Sequence, residues 1–159
     1  MRVSLSLLGF GLPMLIAGCS RPLVIASPFA PVPPTAVIYR DDSGGLRDSA
    51  QYVIRDERAW SELWTQITET QLNPPDRPQT DFGINMLLAV AGGRMRAGDQ
   101  IHVDSVGVRN NVYYAFVSVV EACEALDVEV YPLEIVRVAR SDRQVAFQLG
   151  RRRAGGCTR

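Results

Sequence analysis

The chain is expected to fold as an α+β domain: a mainly antiparallel, curved sheet of six or seven strands with one helix packed on it. Three observations lead there. Trp60, Leu63, Trp64 and Ile67 recur at i, i+3, i+4 and i+7, one apolar stripe of a short helix. From Ile84 onward the sequence is a series of apolar, β-branched runs. The connections between those runs are short, which favours antiparallel neighbours and places the helix on one face of the sheet.

Ala36 to Tyr39 is β-prone and is closed by the turn signal Asp41-Asp42-Ser43-Gly44-Gly45. Strand character resumes from Ala50 to Ile54. Asp56 then suits a helix N-cap, because its carboxylate can accept from the first free helical N–H groups, and Glu57 lies favourably in the first turn. The two tryptophans are read as core. Asn73-Pro74-Pro75-Asp76-Arg77-Pro78 stops the helix. Ile84 to Ala91 is almost continuously apolar, as a central strand requires, and Gly92-Gly93 ends it. Ile101, Val103, Val106 and Val108 alternate in part. Asn110-Asn111 tolerates positive φ and suits a hairpin turn into a strand from Val112 to Val120. Tyr131 to Val138 and Val145 to Leu149 read as a last hairpin around Ser141-Asp142-Arg143.

The N-terminus is a different kind of sequence. Arg2 is followed by an apolar stretch from Val3 to Ile16 that holds two glycines and Pro13. At about 1.5 Å per residue this stretch is too short for a hydrocarbon core of about 30 Å. It reads as a signal segment. The run Leu15-Ile16-Ala17-Gly18-Cys19 resembles the end of a bacterial lipoprotein signal, with small residues before the cut and Cys19 in the lipidated position. The resemblance implies a chain anchored in the bacterial cell envelope, because two or more acyl chains hold stably where one does not. The non-acidic Ser20 implies outer-membrane sorting, facing the periplasm or the cell surface. Residues 1–18 are thus expected as signal peptide and 19–35 as a proline-rich tether, with Pro22, Pro28, Pro31, Pro33 and Pro34 favouring extended chain. Residues 36–159 form the globular domain.

The 17 basic residues, all arginine, balance 17 acidic ones. Electrostatic steering toward nucleic acid is therefore not expected. Once Cys19 is lipidated, Cys123 and Cys157 remain, an even pair in an exported domain and so an expected disulfide. Closing a loop of about 34 residues is worth ~3–4 kcal/mol on the loop-entropy model. The same bridge either holds Arg151, Arg152 and Arg153 against the acidic stretch from Glu121 to Glu134 or leaves both as solvated surface.

Residues 53–148 carry a further pattern: Val53-Ile54, then Trp60 and Leu63-Trp64, then Pro74-Pro75. Asp81-Phe82 precedes the long apolar strand and Gly93 follows it. Ile101, Ser105-Val106, Tyr131-Pro132-Leu133-Glu134-Ile135-Val136, Val145 and Phe147 complete the order. This order resembles the C-terminal domain of PrcB-like protease-complex subunits. The chain departs from it near Ala97-Gly98-Asp99, where only Gly98 fits and Asp99 stands in place of an aromatic. The resemblance implies a non-catalytic, lipid-anchored module that binds another envelope or secreted protein, such as a protease. A small-ligand or glycan receptor is the alternative, and a small envelope enzyme a more remote one.

Signatures of chemistry are weak. Val103-Asp104-Ser105-Val106-Gly107 lacks the first glycine of a nucleophile elbow. His102 has no triad context and reads as a surface or half-buried strand residue. Gly92-Gly93-Arg94-Met95-Arg96-Ala97-Gly98 lacks phosphate-loop spacing and reads as a loop. One His and no CxxC pair give no zinc site. No catalytic residue, metal or cofactor is expected. Arg94, Arg96, Gly98 and Asp99 are the candidate partner-binding loop, since such loops sit on rigid sheets.

Overall fold

The apolar run Met86 to Ala91 is buried on both faces, and the fold is built around it. The computed structural model describes residues 29–124 and 126–157. The expected signal peptide, the expected lipidation site Cys19 and the part of the expected tether up to residue 28 lie outside the described residues. Nine strands and one helix are present among the described residues: β1 (Ala36–Asp41), β2 (Ser49–Ile54), α1 (Glu57–Thr68), β3 (Asn85–Gly92), β4 (Met95–Ala97), β5 (Gln100–Arg109), β6 (Val112–Glu121), β7 (Leu126–Val130), β8 (Leu133–Ala139) and β9 (Val145–Arg153). The α+β class and the mainly antiparallel pairing hold. The expected single sheet is instead three: β1-β8-β3-β2, β5-β6-β9 and the ribbon β4-β7.

The first sheet is antiparallel throughout. Its odd-numbered β3 residues Leu87, Ala89 and Ala91 face α1, where Trp60, Leu63, Trp64 and Ile67 pack with Ile54, Leu133 and Ile135. Asp56 caps the helix as expected, accepting from Ala59 N–H at 2.9 Å. The buried Trp60 indole N–H donates to Pro78 O at 2.8 Å, which ties the proline-rich loop to the helix. The even-numbered residues Met86, Leu88 and Val90 face the second sheet, against Ile101, Val103, Val106, Ala115, Val117 and Val119. The layers are therefore helix, sheet, sheet.

The β5–β6 hairpin turns at Asn110 and Asn111, with φ of 49° and 62°, as their side chains permit. The last expected hairpin does not form. β8 already has β1 and β3 on its two sides, so the chain after it must leave the sheet. It crosses to the second sheet, where β9 runs parallel to β6. Arg55 fastens the crossover by donating to Ser141 O at 2.9 Å and Arg143 O at 2.7 Å.

The two flanks of the sandwich differ. On the β5/β8 side, Val32 exchanges two backbone hydrogen bonds with Val106 of β5, and Thr35 N–H donates to Arg137 O of β8. Phe29 packs against Tyr114 and Phe116. Gly107 leaves the space, because a Cβ there would lie 2.9 Å from the Phe29 ring. Residues 29–35, within the stretch expected as tether, thus close this flank. On the opposite flank β2 and β9 are both terminal strands, and each pairs on one side only.

Candidate functional site

The expected partner loop is built around a tight turn. Asp99 N–H donates to Arg96 O at 2.9 Å, and Gly98 takes φ of +100°, a conformation that suits glycine. The segment read as a loop contains β4, which pairs with β7 to make a two-stranded ribbon. The four candidate residues separate into two roles. Arg94 and Arg96 are exposed and border a cleft of about 420 Å³ between the ribbon and the end of β6 and β9. Asp99 is only 7% exposed. Its Oδ1 accepts from Ala122 N–H at 2.9 Å, so it fastens the turn to the segment that carries Cys123.

The expected disulfide joins Cys123 to Cys157. It follows the last residues of β6 and β9 and bolts those two parallel strands together at their C-terminal ends. The charge contacts are narrower than those of a tail held against the whole acidic stretch. Arg151 lies 3.6 Å from Glu121, whereas Glu129 pairs with Arg94 at 3.0 Å across the ribbon. The arginine tail lies beside β6, and most of the acidic stretch has gone into β7 or β8 instead. The cleft is consequently walled by both signs: Arg94, Arg96 and Arg151 against Asp99, Glu121, Asp127 and Glu129.

One cluster escaped the sequence reading. Glu134 in β8 is 1% exposed and lies between the sheets. Its Oε1 accepts from Arg40 Nε at 3.0 Å and from Arg40 Nη2, and lies 3.1 Å from His102 Nδ1. Its Oε2 accepts from Val103 N–H at 2.6 Å. His102 Nε2 is 3.0 Å from Gln100 Oε1. Both carboxylate oxygens are aimed at protein donors, which makes the group a clamp between β1, β8 and β5. His102 is half-buried on its strand, one of the two expected positions. Ser105 lies at a bulge in β5, with no turn into a helix as a nucleophile elbow has.

The open flank is the other place that sequence did not reveal. Ser49, Ala50, Gln51, Val90, Ala91, Ile101, Val117 and Leu149 line a groove of about 320 Å³ between the edges of β2 and β9. Its floor is apolar. Leu149 stands on its rim, 57% exposed. An unpaired strand beside such a floor can accept an added strand, with main-chain hydrogen bonds for affinity and alternate side chains in the groove for selectivity. No helix among the described residues is long and apolar enough to cross a membrane. No family model, no curated protein and no solved structure matches the chain.

Proposed function

We propose that this chain is a lipid-anchored bacterial envelope protein that acts as a non-catalytic protein-binding module. The role that fits its PrcB-like pattern is accessory subunit of a secreted or surface protease. Cys19 would supply the anchor, and residues 20–28 would join it to the globular part. The observation that carries the binding role is the open flank: two unpaired strand edges and an apolar groove, on a scaffold whose opposite flank is closed. Such an edge is a liability unless it is covered, and a partner strand covers it.

A second reading, a small-ligand or glycan-binding lipoprotein, draws support from the charged cleft beneath the β4–β7 ribbon. Affinity capture with the full chain from envelope extract, read by mass spectrometry, separates the two. Recovery of one protease supports the accessory role. Recovery of no protein, together with retention on a glycan array, supports the receptor.

A further inference from the structure

We propose that the β9 edge takes an extended, acidic segment of the partner as an added strand. This rests on the binding-module reading and specifies the chemistry of its ligand. Tyr113 N–H donates to Gln144 O, and Ala154 N–H donates to Glu121 O. The even-numbered backbone groups therefore face β6. The β6–β9 register runs without a shift from Val145 to Arg153. With the period of two of a strand, the N–H and C=O groups of Val145, Phe147, Leu149, Arg151 and Arg153 point away from β6 into the open flank. Those of β2 offer a shorter edge, of six residues against nine.

The side chains of the same strand set the character of the ligand. Val145 and Phe147 pack into the core, and Leu149 stands over the groove. An incoming strand therefore meets apolar surface along the first half of β9. Along the second half it meets Arg151, Arg152 and Arg153. Arg151 is held by Glu121, but Arg152 and Arg153 are exposed and enter no ion pair among the described residues. Opposite charges across neighbouring strands attract, and like charges repel. The segment that fits carries alternating apolar residues at one end and carboxylates at the other.

The test uses two labelled ten-residue peptides of alternating Val and Thr, one ending in three glutamates and one in three lysines. Anisotropy with the full chain is expected to show binding of the glutamate peptide, weakening as salt rises. The lysine peptide is expected to bind about tenfold more weakly or not at all. Hydrogen exchange should slow at the Leu149, Arg151 and Arg153 amides. Leu149→Pro removes an outward N–H and no β6 bond, and should abolish binding. Arg152→Glu with Arg153→Glu touches only exposed side chains, leaves the fold intact, and should lower affinity for the glutamate peptide about tenfold. Equal binding of both peptides, or unchanged binding by the double arginine variant, overturns the proposal. So does slowed exchange at those amides without peptide in a chain that sediments as a dimer, since a second copy then covers the edge. A partner captured equally by native chain and by both variants would leave the binding module standing and remove β9 as its site.

Discussion

The carboxylate of Glu134 in β8 accepts the backbone N–H of Val103 in β5, at 2.6 Å, across the interface between two sheets. Arg40 and His102 complete the shell, and Arg40 remains half in solvent. Removing the carboxylate leaves the buried Val103 N–H without its acceptor, at a cost of about 1–3 kcal/mol. Glu134→Ala is expected to lose stability in that range, measured by denaturant midpoint. Arg40→Ala should lose less, because His102 and Val103 still face the carboxylate. A loss below about 1 kcal/mol for Glu134→Ala, the range of an exposed pair, would show that the clamp is not what joins the sheets.

Trp64 is the helix residue whose environment is most crowded with rings. It lies edge-on to Tyr39 at 5.0 Å and to Trp60 at 5.1 Å. Trp64→Ala opens a cavity under α1 and should cost about 3–5 kcal/mol. Trp64→Phe keeps part of the contact and should cost distinctly less. Indistinguishable thermal midpoints for the alanine variant and the native chain would take Trp64 out of the core.

The elements that could be read from sequence are those fixed by near neighbours. The α1 stripe, the Asp56 cap and the Asn110-Asn111 turn each depend on a few adjacent residues, and each forms as expected. The central position of β3 also follows from its own composition. The path after β8 does not. Ser141-Asp142-Arg143 would serve a hairpin or a crossover equally, and the decision lies with β1 and β3, which occupy both sides of β8. β4 is three residues long and carries no alternation to betray it. Glu134 was hidden for a related reason. A lone acid in an apolar strand reads as solvent-facing until its donors, from positions 40, 102 and 103, are brought to it by the fold. The open flank is likewise a property of strand order, which no local pattern encodes.

The Cys123–Cys157 bridge closes 34 residues that include all of β7, β8 and β9. Loop entropy assigns it about 4 kcal/mol. Cys157→Ser should therefore lower the denaturant midpoint strongly, and reductant should shift the native chain toward the variant without shifting the variant itself. Because the bridge bolts β6 to β9, the first amides to gain exchange should be those of Arg152 and Ala154, which face β6. Equal midpoints for the two chains under oxidising conditions would remove the bridge from the stability of the fold.

Cys19 carries the proposed anchor. Cells expressing the full chain and fed a labelled fatty acid should incorporate label, and the chain should fractionate with membranes. Cys19→Ser should lose the label and leave the membrane fraction, since thioether attachment needs the thiol. Label retained by the serine variant would move lipidation elsewhere, and an unlabelled native chain in the soluble fraction would remove the anchor from the proposed function.

Two tyrosines are expected to make the fold sensitive to alkali. Burial raises the Tyr39 phenol above its ordinary value of 10.0, the Gln71 hydrogen bond partly lowers it, and Asp41 raises it again. Burial alone raises Tyr113. In both, the folded state prefers the neutral phenol, so it binds more protons than the unfolded state at high pH. Their contribution is complete below about pH 10 and is lost as pH rises through the raised folded values. Denaturant midpoints measured across that window should fall. Tyr39→Phe with Tyr113→Phe cannot ionise at either position and should flatten the fall. If the double variant loses stability along the same slope as the native chain, the alkaline sensitivity lies with other groups.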